Sequence, residues 1–315
     1  MKLLGGTPRR GESYYKDMLN RWIGISAAFL MILANGAIIW RDMLPTWLAG
    51  DPPPSEAAML APGAERRVQV GIYELGGRLM GRSWTLSRCT SVGGIVAVRT
   101  TTVLNPIDLP GGVLTPAVRI ETMITYRPAA ATYVDELEFK MYGLGVPISL
   151  HAEAMPTGEF PLQWQVGSQR GSIALDSRAP ATLGDVIRPF DRLPELYVGR
   201  TWRLQLLDPL AQLLPNLPTT GLGLEPVLIR VTRRETITHR RDDGPYEVEA
   251  FVVEGGNARA WVAPDGTVLR QEVNLPLVGR LVLLEEPYDD AALSKARRVG
   301  LGGPGDNPTD DAPQP

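Results

Sequence analysis

Apolar positions along this chain follow two rhythms. From Trp22 to Trp40 they run without interruption: no residue carries a charge, and Arg21 and Arg41 bracket the stretch. At about 1.5 Å rise per residue, a helix of this length spans roughly 27–30 Å, the thickness of a bilayer's hydrocarbon core. Tryptophan at each end suits the headgroup level, and Phe29, Leu30 and Leu33 lie near the middle of the run. The pattern predicts a transmembrane helix over 22–40, with Trp22, Phe29, Leu30, Leu33 and Trp40 as its anchoring residues.

From Val68 onward the period is two. Val68, Val70 and Ile72 alternate with Gln69, Gly71 and Tyr73. Strand-length runs follow at Ile95–Val103, Ala117–Tyr126, Tyr133–Tyr142 and Val146–Met155, separated by Gly or Pro clusters. The C-terminal third reads most clearly. Val227, Ile229 and Val231 share one face, a turn falls over Arg240–Pro245, and Tyr246, Val248, Ala250 and Val252 line a return strand. Gly255-Gly256-Asn257 and Pro264-Asp265-Gly266 mark two more turns. With Thr267–Leu275 and Val278–Glu286 they predict an antiparallel meander of about five strands.

Helical signals beyond the span are short. Thr182–Phe190 offers a cap and an apolar face but contains Pro189, and Asp208-Pro209 opens a piece that Pro215 ends. Asp289–Val299 carries Lys295, Arg297 and Arg298 toward its C-terminal end, as a helix prefers. The resulting division is a cytoplasmic segment 1–21, the transmembrane helix 22–40, a Pro-rich juxtamembrane linker 41–67, an extracytoplasmic β domain 68–288, a short helix 289–299 and a disordered tail 300–315.

Charge sets the orientation. Lys2, Arg9, Arg10, Lys16 and Arg21 precede the span, whereas Arg41 is followed at once by Asp42, and the next basic residue is Arg66. This excess places the N-terminus in the cytoplasm of a bacterial inner membrane and the bulk of the chain outside. A cleaved signal peptide would cut at Ala34-Asn35-Gly36, inside the apolar run, so an uncleaved signal anchor is the better reading. The net charge of −3 leaves no basic footprint for nucleic acid.

Candidate chemistry is sparse. Cys89 stands alone, which excludes an internal disulfide, a cysteine zinc cage and a CxxC site. His151 and His239 lie in separate strand patterns without metal-ligand spacing. A Cys/His/Asp site built on Cys89 lacks the helix N-terminus that activates a thiolate, since Trp84–Arg88 before it reads as strand. Gly76-Gly77 with Gly81 reads as a hairpin turn rather than a phosphate cradle, and no GxSxG elbow appears. The sequence therefore predicts no catalytic residues, no metal and no cofactor. Trp84, Trp164, Trp202 and Trp261 stand within strands; of these, Trp202 and Trp261 are the candidates to line an apolar ligand groove.

Three pieces carry a resemblance: Tyr73-Glu74-Leu75 followed by Gly81, Leu196–Trp202, and Ala260–Arg270 with its Trp261 and Asp265-Gly266 turn. Together they resemble bacterial envelope domains similar to the LolA-like lipoprotein carriers, over roughly residues 68–287. The resemblance implies an all-β, mainly antiparallel sheet curled into a half-barrel, with short helices over its open side and acyl chains in the concavity. The chain departs from such carriers by its anchor and its length. Two functions follow as expectations. The first is an anchored, non-catalytic domain that binds a lipid or acyl ligand or a lipid-bearing envelope component. The alternative is an accessory or scaffold subunit of an envelope complex that meets a protein partner through its sheet. A hollow sheet points to the first and a filled one to the second.

Overall fold

A computed structural model of the chain describes residues 10–40, 47, 49–54, 59–91, 93–106, 108–109, 113–114, 116–126, 134–143, 145–157, 159–176, 184–185, 188–207, 226–241, 244–275 and 279–299. They fall into two units, Met1–Ala49 and Gly50–Pro315. The first holds α1, Arg10–Ile38, whose last turn widens through Ile39 and Trp40.

The expected transmembrane helix is thus helical but begins twelve residues earlier, in a charged stretch. Among the described residues no helix is long and apolar enough to cross a membrane. The anchoring candidates are all exposed, from Leu33 at 53% to Trp40 at 73%, and Trp40 lies beyond the end of α1.

The second unit is built on one sheet of fifteen strands. Its first half comprises β1 (Glu65–Glu74), β2 (Leu79–Cys89), β3 (Val96–Leu104), β6 (Val118–Tyr126), β7 (Val134–Tyr142), β8 (Ile148–Glu153), β9 (Glu159–Val166) and β10 (Gln169–Asp176). A separate small hairpin, β4 (Asp108–Leu109) and β5 (Val113–Leu114), interrupts it. The second half comprises β11 (Gly184–Asp185), β12 (Thr201–Leu207), β13 (Pro226–Arg241), β14 (Gly244–Gly255), β15 (Ala258–Val262), β16 (Val268–Leu275) and β17 (Gly279–Glu286). The last five match the expected meander closely. β10 went unforeseen, and β9 was marked only by Trp164 as a strand residue.

Each strand pairs antiparallel with its sequence neighbour within a half, except that β11 lies parallel to β12. The halves are joined where β1 meets β17, Ile72 opposite Leu283. The sheet does not close: β10 and β11 lie at opposite edges. Its inner face carries Val68, Val70 and Ile72 of β1, Ile120 of β6, Leu137 and Phe139 of β7, Leu162 of β9, Val231 of β13 and Leu283 of β17 in one continuous apolar cluster. A sheet this wide can bury one whole face only by curling upon itself.

One expected cover is corrected. Among the described residues of Thr182–Phe190 there is no helix. Gly184 and Asp185 join β12 as a parallel strand, and Arg188–Phe190 is irregular, because Pro189 cannot supply the N–H that a helix needs. Asp208–Leu214 lies outside the described residues, as does the tail 300–315. The terminal helix α2 spans Asp290–Ala296. Its cap is Asp289, whose side chain accepts from the backbone N–H of Ala291 and Ala292. It packs Leu293 and Ala296 on Trp84 and Val103, the face opposite the apolar cluster.

The stretch given to the linker is partly tied to the sheet. Gly50 N donates to Thr201 O at 2.9 Å, Pro53 is buried, and Leu60 packs on the inner cluster.

An irregular strap, residues 188–200, covers the inner face with Phe190 and Leu193. Gly266 seats it: a Cβ there would stand 2.9 Å from Leu193 C and from Pro194 Cα, and its φ of 88° already disfavours a side chain. Gly266→Ala should destabilise the β unit by roughly 1–3 kcal/mol, read as a lowered chemical-unfolding midpoint with an unchanged slope.

Candidate functional site

The inner face is organised by what the strap brings to it. At the centre of the sheet its lining turns polar. Ser83 and Thr85 of β2 face Thr102 and Thr100 of β3, with hydroxyl oxygens 2.8 and 3.2 Å apart. Alternation places these hydroxyls inward, because Trp84 between them points to the other face. Arg188 enters this seam from the strap. One guanidinium nitrogen donates to Thr85 Oγ1 at 2.7 Å and another lies 3.2 Å from Asp191. Tyr126 is buried beside them. Burial pushes its phenol well above the ordinary value, and the Asp191 charge adds to the shift.

The strap is held by an amide. Gln271 of β16 is buried, and its Nε2 donates to Phe190 O at 2.7 Å while its Oε1 accepts from Phe190 N at 3.3 Å. One side chain thereby satisfies both backbone groups of a buried residue outside any strand. Arg192 donates to Asp265 O at 3.0 Å, and Leu193 N donates to Gly266 O at 2.9 Å. Between the strap and β1, β16 and β17 lies a cavity of about 10 Å³, lined by Arg66, Val68, Arg188, Asp191, Gln271 and Glu285 among others. It has the room of a single water and cannot hold an acyl chain.

The outer face carries its own network. Glu286 accepts from Gln69 Nε2 and Arg82 Nε at 2.9 Å each, and from the Tyr73 hydroxyl. Gln69 Oε1 in turn accepts from Trp84 Nε1 at 2.7 Å and from Asp289 N at 2.9 Å, which ties α2 to the sheet. Gly71 leaves the space: a Cβ there would stand 2.2 Å from a Glu286 oxygen. Burial pushes the Glu286 carboxyl upward, but the bonds from Tyr73, Gln69 and Arg82 outweigh it and hold the group below its usual range. Burial, then the bond to Glu286, pushes Tyr73 up to about 12.

The tryptophan candidates part company. Trp202 is 1% exposed on the inner face, within the apolar cluster. Trp261 is 6% exposed on the outer face with Ala250 and Val252, and the guanidinium carbons of Arg270 and Arg259 lie 5.0 and 5.9 Å from its ring centre. The pair therefore lines no common groove. Beside Trp261 a charge ladder crosses five strands: Arg233, Glu254, Arg259, Glu272 and Arg280. Glu254 lies 3.8 Å from Arg233 and 2.7 Å from Arg259, Arg259 stands opposite Glu272, and Glu272 pairs with Arg280. An open groove of about 550 Å³ runs along its end, past Gly256 and Asn257.

The other candidates stay apart. Cys89 is buried in the inner cluster, with its thiol directed to Thr90 O at 3.7 Å. His151 stands opposite Glu138 and Gln163 in the sheet, whereas His239 meets the Tyr246 ring edge-on. Among the described residues no group of three or more His, Cys, Asp or Glu could hold a metal ion. Sequence reasoning missed Arg188, Gln271 and Glu286. For Gln271 a local signal existed: it is the polar residue at an inward position between Leu269 and Val273.

No protein-family model matches the chain, and no curated protein matches it. Among solved structures, it is similar to a β-barrel-like protein of the domain of unknown function DUF1849 from Brucella abortus. The identity is 7% and the TM-score 0.41, over 73% of this chain and 100% of that one. It is also similar to a DUF1089 family protein from Pseudomonas aeruginosa, with 15% identity and a TM-score of 0.29 over 59% of this chain and 87% of that one. Neither likeness is close enough to carry an argument about activity. The resemblance to LolA-like carriers rests on its sequence motifs alone.

Two outcomes follow from the two networks. Gln271→Leu leaves the Phe190 N–H and C=O buried without their partner, and should cost about 2 kcal/mol or more in unfolding free energy. Glu286, held below its ordinary value in the folded state, adds stability above the usual carboxylate range and loses it as pH falls through the folded value. Thermal melts of Glu286→Gln should therefore show less acid destabilisation than the parent between about pH 5 and 3, from a lower starting point at pH 7.

Proposed function

We propose that this chain is a single-pass protein of the bacterial inner membrane, N-terminus in the cytoplasm, whose extracytoplasmic β domain is a non-catalytic accessory or scaffold subunit of an envelope complex. The observation that carries the reading is the strap's packing of the inner face among the described residues. Phe190 and Leu193 of the strap sit where a carried acyl chain would lie, and the cavity beside them is of water size. A domain whose concave face is occupied by its own chain has its outer face and its edges left for partners.

The anchor is supported by the uncharged run Trp22–Trp40, by the basic residues before it, and by the exposure of Phe29 and Leu30 on α1, which calls for apolar surroundings. The reading takes the span through Ile39 and Trp40, where the helical backbone continues in a wider turn. Protease added to spheroplasts should digest the domain beyond Gly50 and leave the first twenty residues protected; a protected domain would reverse the orientation. An arginine at Leu30 should cost roughly 2.5–3.5 kcal/mol of insertion on the translocon scale.

The carrier reading keeps one supporting observation. The strap offers the inner face apolar side chains of the kind a lipid would replace, through hydrogen bonds that a displacement could break. A fluorescent acyl probe decides between the two. The fragment Gly50–Pro315, which is a unit with its own core, should bind no probe at tens of micromolar. Saturable micromolar binding, roughly 8 kcal/mol, that weakens in Trp202→Ala would overturn the scaffold reading in favour of the carrier.

A further inference from the structure

β13 and β14 extend past the sheet that holds them. β12 reaches β13 only from Pro226 to Arg230, and the strap takes Val231, whose N–H donates to Arg200 O and whose carbonyl accepts from Gly199 N, both at 2.9 Å. β15 reaches β14 only from Phe251 to Gly255. Among the described residues, Glu235–Thr238 and Glu247–Ala250 pair with each other and with no third strand, while Arg233 and Arg234 face Val252 and Phe251, where β15 already joins β14. Among the described residues these two segments form a two-stranded ribbon with two open edges. A bare ribbon of this kind is marginal in water, and an open strand edge is a template for another strand.

The two edges are chemically complementary. On one face of the ribbon β13 presents Arg234, Thr236 and Thr238, and β14 presents Glu247 and Glu249; Arg234 lies 3.5 Å from Glu249. On the other face Ile237 stands opposite Val248, and the stripe continues through Ala250 into Val252 and Trp261. Charges usually blunt an edge; here they select a partner. Joining two β13 edges would offer Arg234 no carboxylate on its own face, since Glu235 lies on the other face and pairs with Arg233 at 2.9 Å, and joining two β14 edges would crowd Glu247 and Glu249. A β14 edge on a β13 edge repeats the pairs that already hold the ribbon together: Arg to Glu on one face, Ile to Val on the other.

We propose that the ribbon is a self-association element, in which the β13 edge of one chain receives the β14 edge of a second copy, antiparallel and head to tail. The contact is heterologous, so a joined pair keeps one free β13 edge and one free β14 edge, and association runs on as an open row rather than closing at a pair. Anchored chains would form such rows along the membrane. This deepens the scaffold function proposed above by naming a surface and a partner.

The test uses the full chain in detergent, as two single-cysteine forms in a Cys89→Ser background. One carries Thr236→Cys and the other Glu249→Cys, with tags of different size. Strand residues that face each other stand about 4.5–5.5 Å apart at Cα, within disulfide reach. After mixing and oxidation, the mixed disulfide should dominate over either homodimer, and high salt should reduce it. Arg234→Glu should lower the yield, and adding Glu249→Arg in the same chain should restore it, since both the internal and the shared pair are then remade. For these two variants the cysteines move to Thr238 and Glu247, and cooperative melting confirms that each form is folded. No mixed disulfide between folded chains, or a predominance of Thr236→Cys homodimers, overturns the proposal. That failure leaves the envelope-partner function standing, whereas acyl-probe binding overturns that function and leaves the ribbon untouched.

Discussion

The β unit depends on how an open sheet disposes of its inner face. Because β10 and β11 stand at opposite edges and never pair, the sheet cannot finish as a closed barrel whose own strands fill its interior. Residues 188–200 supply what closure would have supplied. Their two aspects are inseparable: Phe190 and Leu193 contribute apolar volume, and the Phe190 peptide groups they carry inward need partners in a dry place. Gln271 provides both partners from a strand, and Gly266 lets the strap backbone approach as closely as it does. Removing either support would leave a curled sheet with a wet seam through its middle.

That arrangement pushes the remaining polar chemistry outward. Glu286 is stabilised as an anion by three donors drawn from β1 and β2, and the same cluster reaches Asp289 at the start of α2. The terminal helix is thus fastened to the outer face by a hydrogen-bond relay as well as by Leu293 and Ala296. Farther along, the ladder from Arg233 to Arg280 pairs opposite charges across successive strands and shields Trp261 between arginines. Such pairs contribute modestly one by one, about 0.2–1 kcal/mol each, and more as a network that fixes register. Among the described residues, the strap thus packs the inner face and ion pairs lace the outer one.

Alternation and turn chemistry made much of the architecture legible in advance. Val68, Val70 and Ile72 do share the inner face, β13 and β14 stay paired as far as Arg241 and Gly244, inside the stretch given to a turn, and the turns at Gly255-Gly256-Asn257 and Pro264-Asp265-Gly266 fall where local conformation requires them. Asp265 accepts from Thr267 N within its own turn, so that corner needs nothing from the rest of the chain. β10 escaped notice and β9 was marked only by Trp164, because Pro161 and Gly171 interrupt their patterns, and the strands form against neighbours rather than by propensity. Trp202 and Trp261 show the limit of face assignment. Period two says that a residue points to one side; which side is concave depends on how the whole sheet curls.

What the sequence by itself determined is therefore local and periodic: the uncharged run Trp22–Trp40, the all-β character from Val68 onward, and the hairpins of the last third. These rest on rules that act within a few residues, namely side-chain alternation, turn conformations and the cost of charge in an apolar helix. The tertiary structure alone decided the pairing of β1 with β17, the strap in place of a helical cover, and the Gln271 and Glu286 networks. Each of these joins residues far apart in the chain, and a hydrogen bond across such a distance leaves no mark on the spacing of the residues that make it.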